Sequence, residues 1–211
     1  MCGVVGYTGK GQAIDFLLYG LQTLEYRGYD SAGVAVLSPD DNLHLVKVAG
    51  RVAALKERCD AANLVGSTGI GHTRWATHGA PTDRNAHPHT SCDGRIAVVH
   101  NGIIENYEAL RRQLMAEGHN FKSDTDTEVV AHLVEDAVAR SREGRPRLRR
   151  PLRVRQARGL LGARHRLRRL PGRGRRDEKG VAPRRGVHQG RRLCGVGRHA
   201  ACEGDVALPA A

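Results

Sequence analysis

The sequence predicts an α+β fold in which helices pack against antiparallel sheet. Three observations carry that expectation. A strand-like run, Cys2-Gly3-Val4-Val5-Gly6-Tyr7, leads directly into a helical periodicity. Two β-rich runs flank the turn Asp40-Asp41-Asn42, which reads as a hairpin. Further strands then interleave with amphipathic stretches up to about residue 139.

Taken in order, Gly9-Lys10-Gly11 ends the first strand. Ile14, Leu17, Leu18, Leu21 and Leu24 then recur at the spacing of one helical face. Arg27-Gly28-Tyr29-Asp30 reads as a loop, followed by strands over Gly33 to Leu37 and Leu43 to Val48 and a short helix over Arg51 to Cys59. Two more strands are expected near Thr68 to Trp75 and Arg95 to His100, joined by a polar loop from Thr77 to Gly94. Glu105 to Glu117 is helical, with Tyr107, Leu110 and Leu114 on one stripe. A last helix over Thr125 to Ala139 carries Thr125-x-x-Glu128, which reads as a capping box.

The 211 residues divide into two unlike parts. Residues 1–144 hold 14 Lys+Arg against 18 Asp+Glu, a net −4; residues 145–211 hold 20 against 4, a net +16. Every Phe, Trp, Tyr, Ile, Asn, Ser, Thr and Met lies before residue 145. The remainder cannot bury a core, so it reads as a disordered Arg/Gly/Pro-rich tail. The residue types it keeps are largely those with GC-rich codons, as in a GC-rich gene read out of frame. A nucleic-acid-binding arm is the other functional reading of so much arginine, with only non-specific contact expected. The cysteines Cys2, Cys59, Cys92, Cys194 and Cys202 form no CxxC pair, which predicts neither a disulfide framework nor a zinc knuckle. With no apolar run near the ~18 residues of a membrane span and no signal-peptide pattern, a reducing cytoplasm is the expected compartment.

Cys2 has a particular chemical possibility. Removal of Met1 would place its thiol beside a free α-amine, which titrates near ~7.7–8.0 and can serve as the thiol's base. His72, His78, His87, His89 and His100 crowd one window without a metal-ligand spacing, so no metal is expected. The glycines of Arg27-Gly28-Tyr29-Asp30-Ser31-Ala32-Gly33 do not form a nucleotide-binding loop, and no cofactor is expected.

Six segments occur in one order: Cys2-Gly3-Val4-Val5-Gly6, Leu24-Glu25-Tyr26-Arg27-Gly28-Tyr29-Asp30-Ser31-Ala32-Gly33, Gly71-His72-Thr73-Arg74-Trp75-Ala76-Thr77-His78-Gly79, Asn85-Ala86-His87-Pro88-His89, His100-Asn101-Gly102-Ile103-Ile104-Glu105-Asn106 and Asp124-Thr125-Asp126-Thr127-Glu128. Together they make residues 1–144 resemble the glutaminase domain of the glutamine–fructose-6-phosphate aminotransferases, a family of class II, N-terminal-nucleophile glutamine amidotransferases. That resemblance implies an αββα sandwich, here incomplete, because the family's later strands and its isomerase domains have no counterpart after residue 145. It also implies hydrolysis of glutamine to glutamate and ammonia. In the full-length family that ammonia serves glucosamine 6-phosphate synthesis from fructose 6-phosphate, in a homodimer.

The residue roles follow from the same resemblance. Cys2 corresponds to the nucleophile, and Asn101 and Gly102 to the oxyanion donors. Arg74 would bind the substrate's α-carboxylate and Asp126 its α-ammonium, with Thr77 and His78 in the substrate loop. Trp75 corresponds to the residue that gates ammonia. An amidophosphoribosyltransferase shares the terminal cysteine and layout, but would carry a His-Arg-Gly-Gln-Glu-like stretch where this chain has Tyr26-Arg27-Gly28-Tyr29-Asp30.

Overall fold

A computed structural model describes residues 2–142 together with 187–188, 191–196 and 200–201. Strand β1 (Gly3–Thr8) leads into helix α1 (Ala13–Thr23) and a single 3-10 turn, Glu25–Arg27. The hairpin β2 (Ser31–Leu37) and β3 (Leu43–Ala49) precedes α2 (Val52–Ala61) and β4 (Thr68–Arg74). Then come the two-residue β5 (His89–Thr90), β6 (Ile96–His100), α3 (Tyr107–Ala116) and α4 (Glu128–Arg142). The Arg-rich segment, for which the sequence predicts disorder, contributes β7 (Val187–His188), β8 (Arg191–Val196) and β9 (Ala200–Ala201); the rest of 143–211, and the expectation made for it, lie outside the described residues.

The strands form two sheets, ordered β3-β2-β4-β1-β9 and β5-β6-β8-β7. Within the first, β2, β3, β4 and β1 are antiparallel, with Gly3 opposite Thr73 and Ser31 opposite Arg74. In the second, β5 pairs antiparallel and β8 parallel with β6.

Side-chain alternation explains the layering. On β1 and β2, Val5, Ala32, Val34 and Val36 turn one way and bury against Leu17, Leu18 and Leu21 of α1 and Val52, Leu55 and Cys59 of α2. On β6, Ile96 and Val98 face Leu110 and Leu114 of α3 and Val129, Val130 and Leu133 of α4. The intervening positions, Val4, Ala35, Ile70, Ala97 and Val99, meet one another in a third cluster between the sheets. Helices outside and two sheets inside make the αββα sandwich that the resemblance implied.

Helix α4 begins later than the sequence predicts. Glu128 is its first residue, and its carboxylate accepts hydrogen bonds from the Lys122 and Ser123 amides at 2.7 Å each and from the Ser123 hydroxyl at 2.5 Å. Thr125 does not cap the helix. Its hydroxyl pairs with His89 Nε2 at 2.9 Å and with Ser123 Oγ at 2.9 Å. The pattern read as a capping box instead pins the approach segment, because Asp126 and Thr127 line a cleft rather than wind into the helix.

Candidate active site

The cleft opens at the end of the layer between the sheets. Ile70, His72 and Arg74 alternate on the inner face of β4, and Cys2 continues the inner face that Val4 occupies on β1. Since Gly3 stands opposite Thr73, the same register sets Cys2 opposite Arg74. Cys2, His72, Arg74, Trp75, Thr77, His87, His100, Gly102, Ile103, Asp126 and Thr127 line the cleft. Of the eight residues singled out from the sequence, Cys2, Arg74, Trp75, Thr77, Gly102 and Asp126 therefore share one cavity.

The Cys2 thiol is held by backbone. The Trp75 amide donates to Sγ at 3.2 Å, and Sγ lies 3.7 Å from the Trp75 carbonyl. Asn101 stands behind it, its Nδ2 donating to the Cys2 carbonyl at 3.1 Å and its Oδ1 facing His72 Nε2 at 2.8 Å. With Nδ2 spent on a carbonyl, Oδ1 must accept, so His72 carries its proton on Nε2. Burial lowers the His72 pKa to about 4, which leaves the ring neutral and fixed in that donor role. Sequence reasoning missed this orienting residue, although it stands inside a quoted motif.

Arg74 is buried, and its guanidinium donates to the carbonyls of His78, Gly79 (3.1 Å) and Ala80 (3.4 Å). Desolvation lowers its pKa, while Asp30, Cys2 and Asp126 act in the opposite sense. It thus shapes the 78–80 loop from inside instead of forming a surface ion pair. Asp126 is also buried, and its Oδ2 accepts the Ile104 amide at 2.7 Å. The carboxylate ties the segment before α4 to the loop that follows β6, beside Gly102.

His78 is placed differently. Its carbonyl meets Arg74, but its ring packs edge-on against Tyr107 at 5.3 Å and is not among the residues lining the cleft. Trp75 is 54% exposed, with Gly28 beneath its ring. Asp30 lies in one of the six motif segments, with no individual role legible in the sequence. Its carboxylate accepts the Ala76 amide at 2.5 Å and its own amide donates to Arg74 O at 2.9 Å, so it fixes the turn that carries Trp75.

The remaining histidines form a packed column. His72 stacks on His87 with 4.3 Å between centroids, and His87 meets His89 edge-on at 4.5 Å. Burial drives the pKa values of His87 and His89 well below the ordinary histidine value and lowers that of His100. These rings stay neutral, and His72, His87 and His100 form part of the cleft lining.

A glutamine amidotransferase domain family matches residues 42–141. Over 136 residues, 64% of this chain, the sequence is 62% identical to a glutamine–fructose-6-phosphate aminotransferase (isomerizing) of Thermus thermophilus, of which that match spans 22%. The same-named protein of Pyrococcus horikoshii is 55% identical over 136 residues, 23% of its length. The chain therefore spans less than a quarter of these curated relatives. Among solved structures, the glutamine phosphoribosylpyrophosphate amidotransferase from B. subtilis superposes with a TM-score of 0.54 at 30% identity, covering 64% of this chain and 29% of that one. The allosteric regulatory enzyme of purine biosynthesis gives 0.51 at 28% identity, with the same two coverages. With the cleft, the four-layer fold and these likenesses in agreement, the N-terminal part of this chain matches a glutamine amidotransferase domain and is similar to part of the glutamine–fructose-6-phosphate aminotransferases.

Proposed function

We propose that this domain hydrolyses glutamine to glutamate and ammonia with Cys2 as nucleophile. The observation that carries the reading is that the Cys2 thiol, held by the Trp75 amide, lines one cleft with a buried guanidinium, Arg74, and a buried carboxylate, Asp126. After removal of Met1, the free amine of Cys2 takes the thiol proton as Sγ attacks the side-chain amide carbon. The same proton passes to the departing nitrogen, releasing ammonia and leaving a thioester. Water then attacks the thioester carbon, gives its proton to the amine, and frees glutamate as the thiol re-forms.

In this reading the Asn101 carboxamide, held by His72, and the Gly102 amide stabilise the oxyanion. Arg74 takes the α-carboxylate, Asp126 the α-ammonium, and Thr77 and His78 belong to the loop that closes on substrate. Trp75, exposed and seated beside Sγ through its own amide, gates ammonia. In this reading the ammonia serves transfer to fructose 6-phosphate, as the name of the aminotransferase relatives indicates; a homodimer and a cytoplasmic setting fit such a metabolic role. Among the described residues no helix is long and apolar enough to cross a membrane.

An amidophosphoribosyltransferase reading has the two structural neighbours in its favour. The 62% identity to an aminotransferase and the segment Tyr26-Arg27-Gly28-Tyr29-Asp30 favour the first reading. The test is ammonia release from glutamine by protein with a free Cys2 amine. Cys2→Ser is expected to drop the rate to background while Cys59→Ser retains it; equal loss in both variants, or release unaffected by Cys2→Ser, would contradict the reading.

A further inference from the structure

A second cluster of chemically capable side chains stands apart from the residues lining the cleft. Cys92 in the β5–β6 turn, His119 after α3, and His132 and Glu135 on α4 each aim one ligand atom at a common point, all within 4.8 Å of one another. The sequence showed no metal-ligand spacing because three separate segments supply the four residues. The one local signal is His132-x-x-Glu135, which sets two ligand types on the same helical face.

The separations have the form of a coordination shell. Cys92 Sγ lies 3.7 Å from His119 Nδ1 and 3.5 Å from His132 Nδ1. Glu135 Oε2 lies 3.1 Å from His119 Nδ1 and 3.3 Å from His132 Nδ1. Zinc bonds of ~2.3 Å to sulfur and ~2.0–2.2 Å to nitrogen or oxygen at tetrahedral angles give edges of roughly 3.6 Å for S···N and roughly 3.3–3.4 Å for N···O. These four separations lie within about 0.3 Å of the ideal edges, and each residue uses the same atom in both of its contacts.

The surroundings are those of held ligands. The Asn120 amide donates to Cys92 Sγ at 3.3 Å. The Cys92 and Asp93 amides donate to the two oxygens of Glu135 at 3.1 and 3.3 Å. His132 is fully buried, and its far nitrogen Nε2, which has no hydrogen-bond partner, points at Glu128 Oε1 3.6 Å away. A carboxylate behind a ligating imidazole is the outer-shell arrangement that orients metal-bound histidine. Gly118 (φ +94°) closes α3, letting the His119 amide reach Leu114 O at 2.9 Å and turning the His119 ring towards the cluster.

We propose that Cys92, His119, His132 and Glu135 bind one zinc ion. The protein fills all four positions, so the ion is structural and leaves no site for substrate. Binding exchanges the Cys92 thiol proton for the metal and releases it to solvent. The ion joins the β5–β6 turn, the end of α3 and the second turn of α4, and so braces the helix whose approach segment supplies Asp126.

The test is a cobalt(II) titration of the chelator-stripped full chain, followed by absorbance, with zinc competition. One equivalent giving tetrahedral d–d bands and a thiolate-to-cobalt charge-transfer band, displaced by zinc, is expected. Cys92→Ser should remove the charge-transfer band and weaken zinc binding by more than the roughly 10–100-fold typical of an outer-shell change. A chain carrying Cys59→Ser, Cys194→Ser and Cys202→Ser should keep both. The absence of a charge-transfer band in the stripped wild-type chain would overturn the proposal. So would a band that survives Cys92→Ser, or one lost from the triple variant.

Discussion

Around Cys2 the decisive contacts are a few hydrogen bonds. The Trp75 amide to Sγ and the Asn101–His72 pair hold the thiol and its neighbouring carboxamide. Asn101→Ala is expected to lower kcat by roughly 10²–10³-fold with a smaller change in KM, the signature of a donor that acts on the transition state; steady-state ammonia release checks it. Arg74→Lys keeps the charge but cannot serve the carbonyls of His78, Gly79 and Ala80 together with a carboxylate. Loss of charge-assisted bonds at ~1.5–3 kcal/mol predicts a KM for glutamine raised by roughly 10–100-fold. Gly28 sits at φ +70° with its missing Cβ 3.0 Å from the Trp75 ring. Gly28→Ala should therefore both strain the backbone and displace Trp75, read as a shift in tryptophan fluorescence.

Between the elements, the buried histidines couple stability to pH. His72, held near 4, and His87, His89 and His100, all lowered, bind fewer protons folded than unfolded. Stability should thus fall as pH drops through the unfolded value of ~6.5, and for His72 should go on falling to about 4. That ring alone represents roughly 3 kcal/mol at the lower end. Glu128 acts in the same direction further down, because burial, which would raise its pKa, is outweighed by the neighbouring His132 imidazole and by hydrogen bonds from Ser123 and the Lys122 amide, which bring it to about 2. Its contribution is present above ~4.5 and lost towards 2. Urea midpoints taken between pH 7 and 4.5 should decline steadily; a flat profile would contradict a neutral buried column.

Much of this level was legible in the sequence. The β2–β3 hairpin followed from alternation around Asp40-Asp41-Asn42, and α1 from its leucine spacing. The two-residue β5 was not, since His89 and Thr90 sit in a polar loop too short to show a period. Thr125 and Glu128 misled because a side chain that caps a helix and one that ties down a loop obey the same local pattern. The candidate site residues came from motif resemblance, and six of the eight line one cleft. Their partners His72 and Asp30 were not singled out, because the contacts that define them span sheets and loops.

At the scale of the whole molecule, the described apolar clusters lie between Val4 and Val138, whereas β8 and β9, drawn from the Arg-rich segment, pair with β6 and β1. The composition break near residue 145 predicts that resequencing the gene will reveal, in another frame from about that codon, an open frame encoding further amidotransferase strands. An interrupted alternative frame would refute it. If the segment instead acts as a nucleic-acid arm, retention on RNA should fall steeply with salt and vanish on deletion of residues 145–211.

The proposed nucleophile, Cys2, is the point on which the chemistry rests. Its most direct measurement is peptide mass mapping of Met1-free protein after exposure to an electrophilic glutamine analogue. The predicted result is addition of the analogue's mass to the peptide beginning at Cys2, prevented by excess glutamine. Modification at Cys59 or Cys92 with an unaltered N-terminal peptide would contradict it.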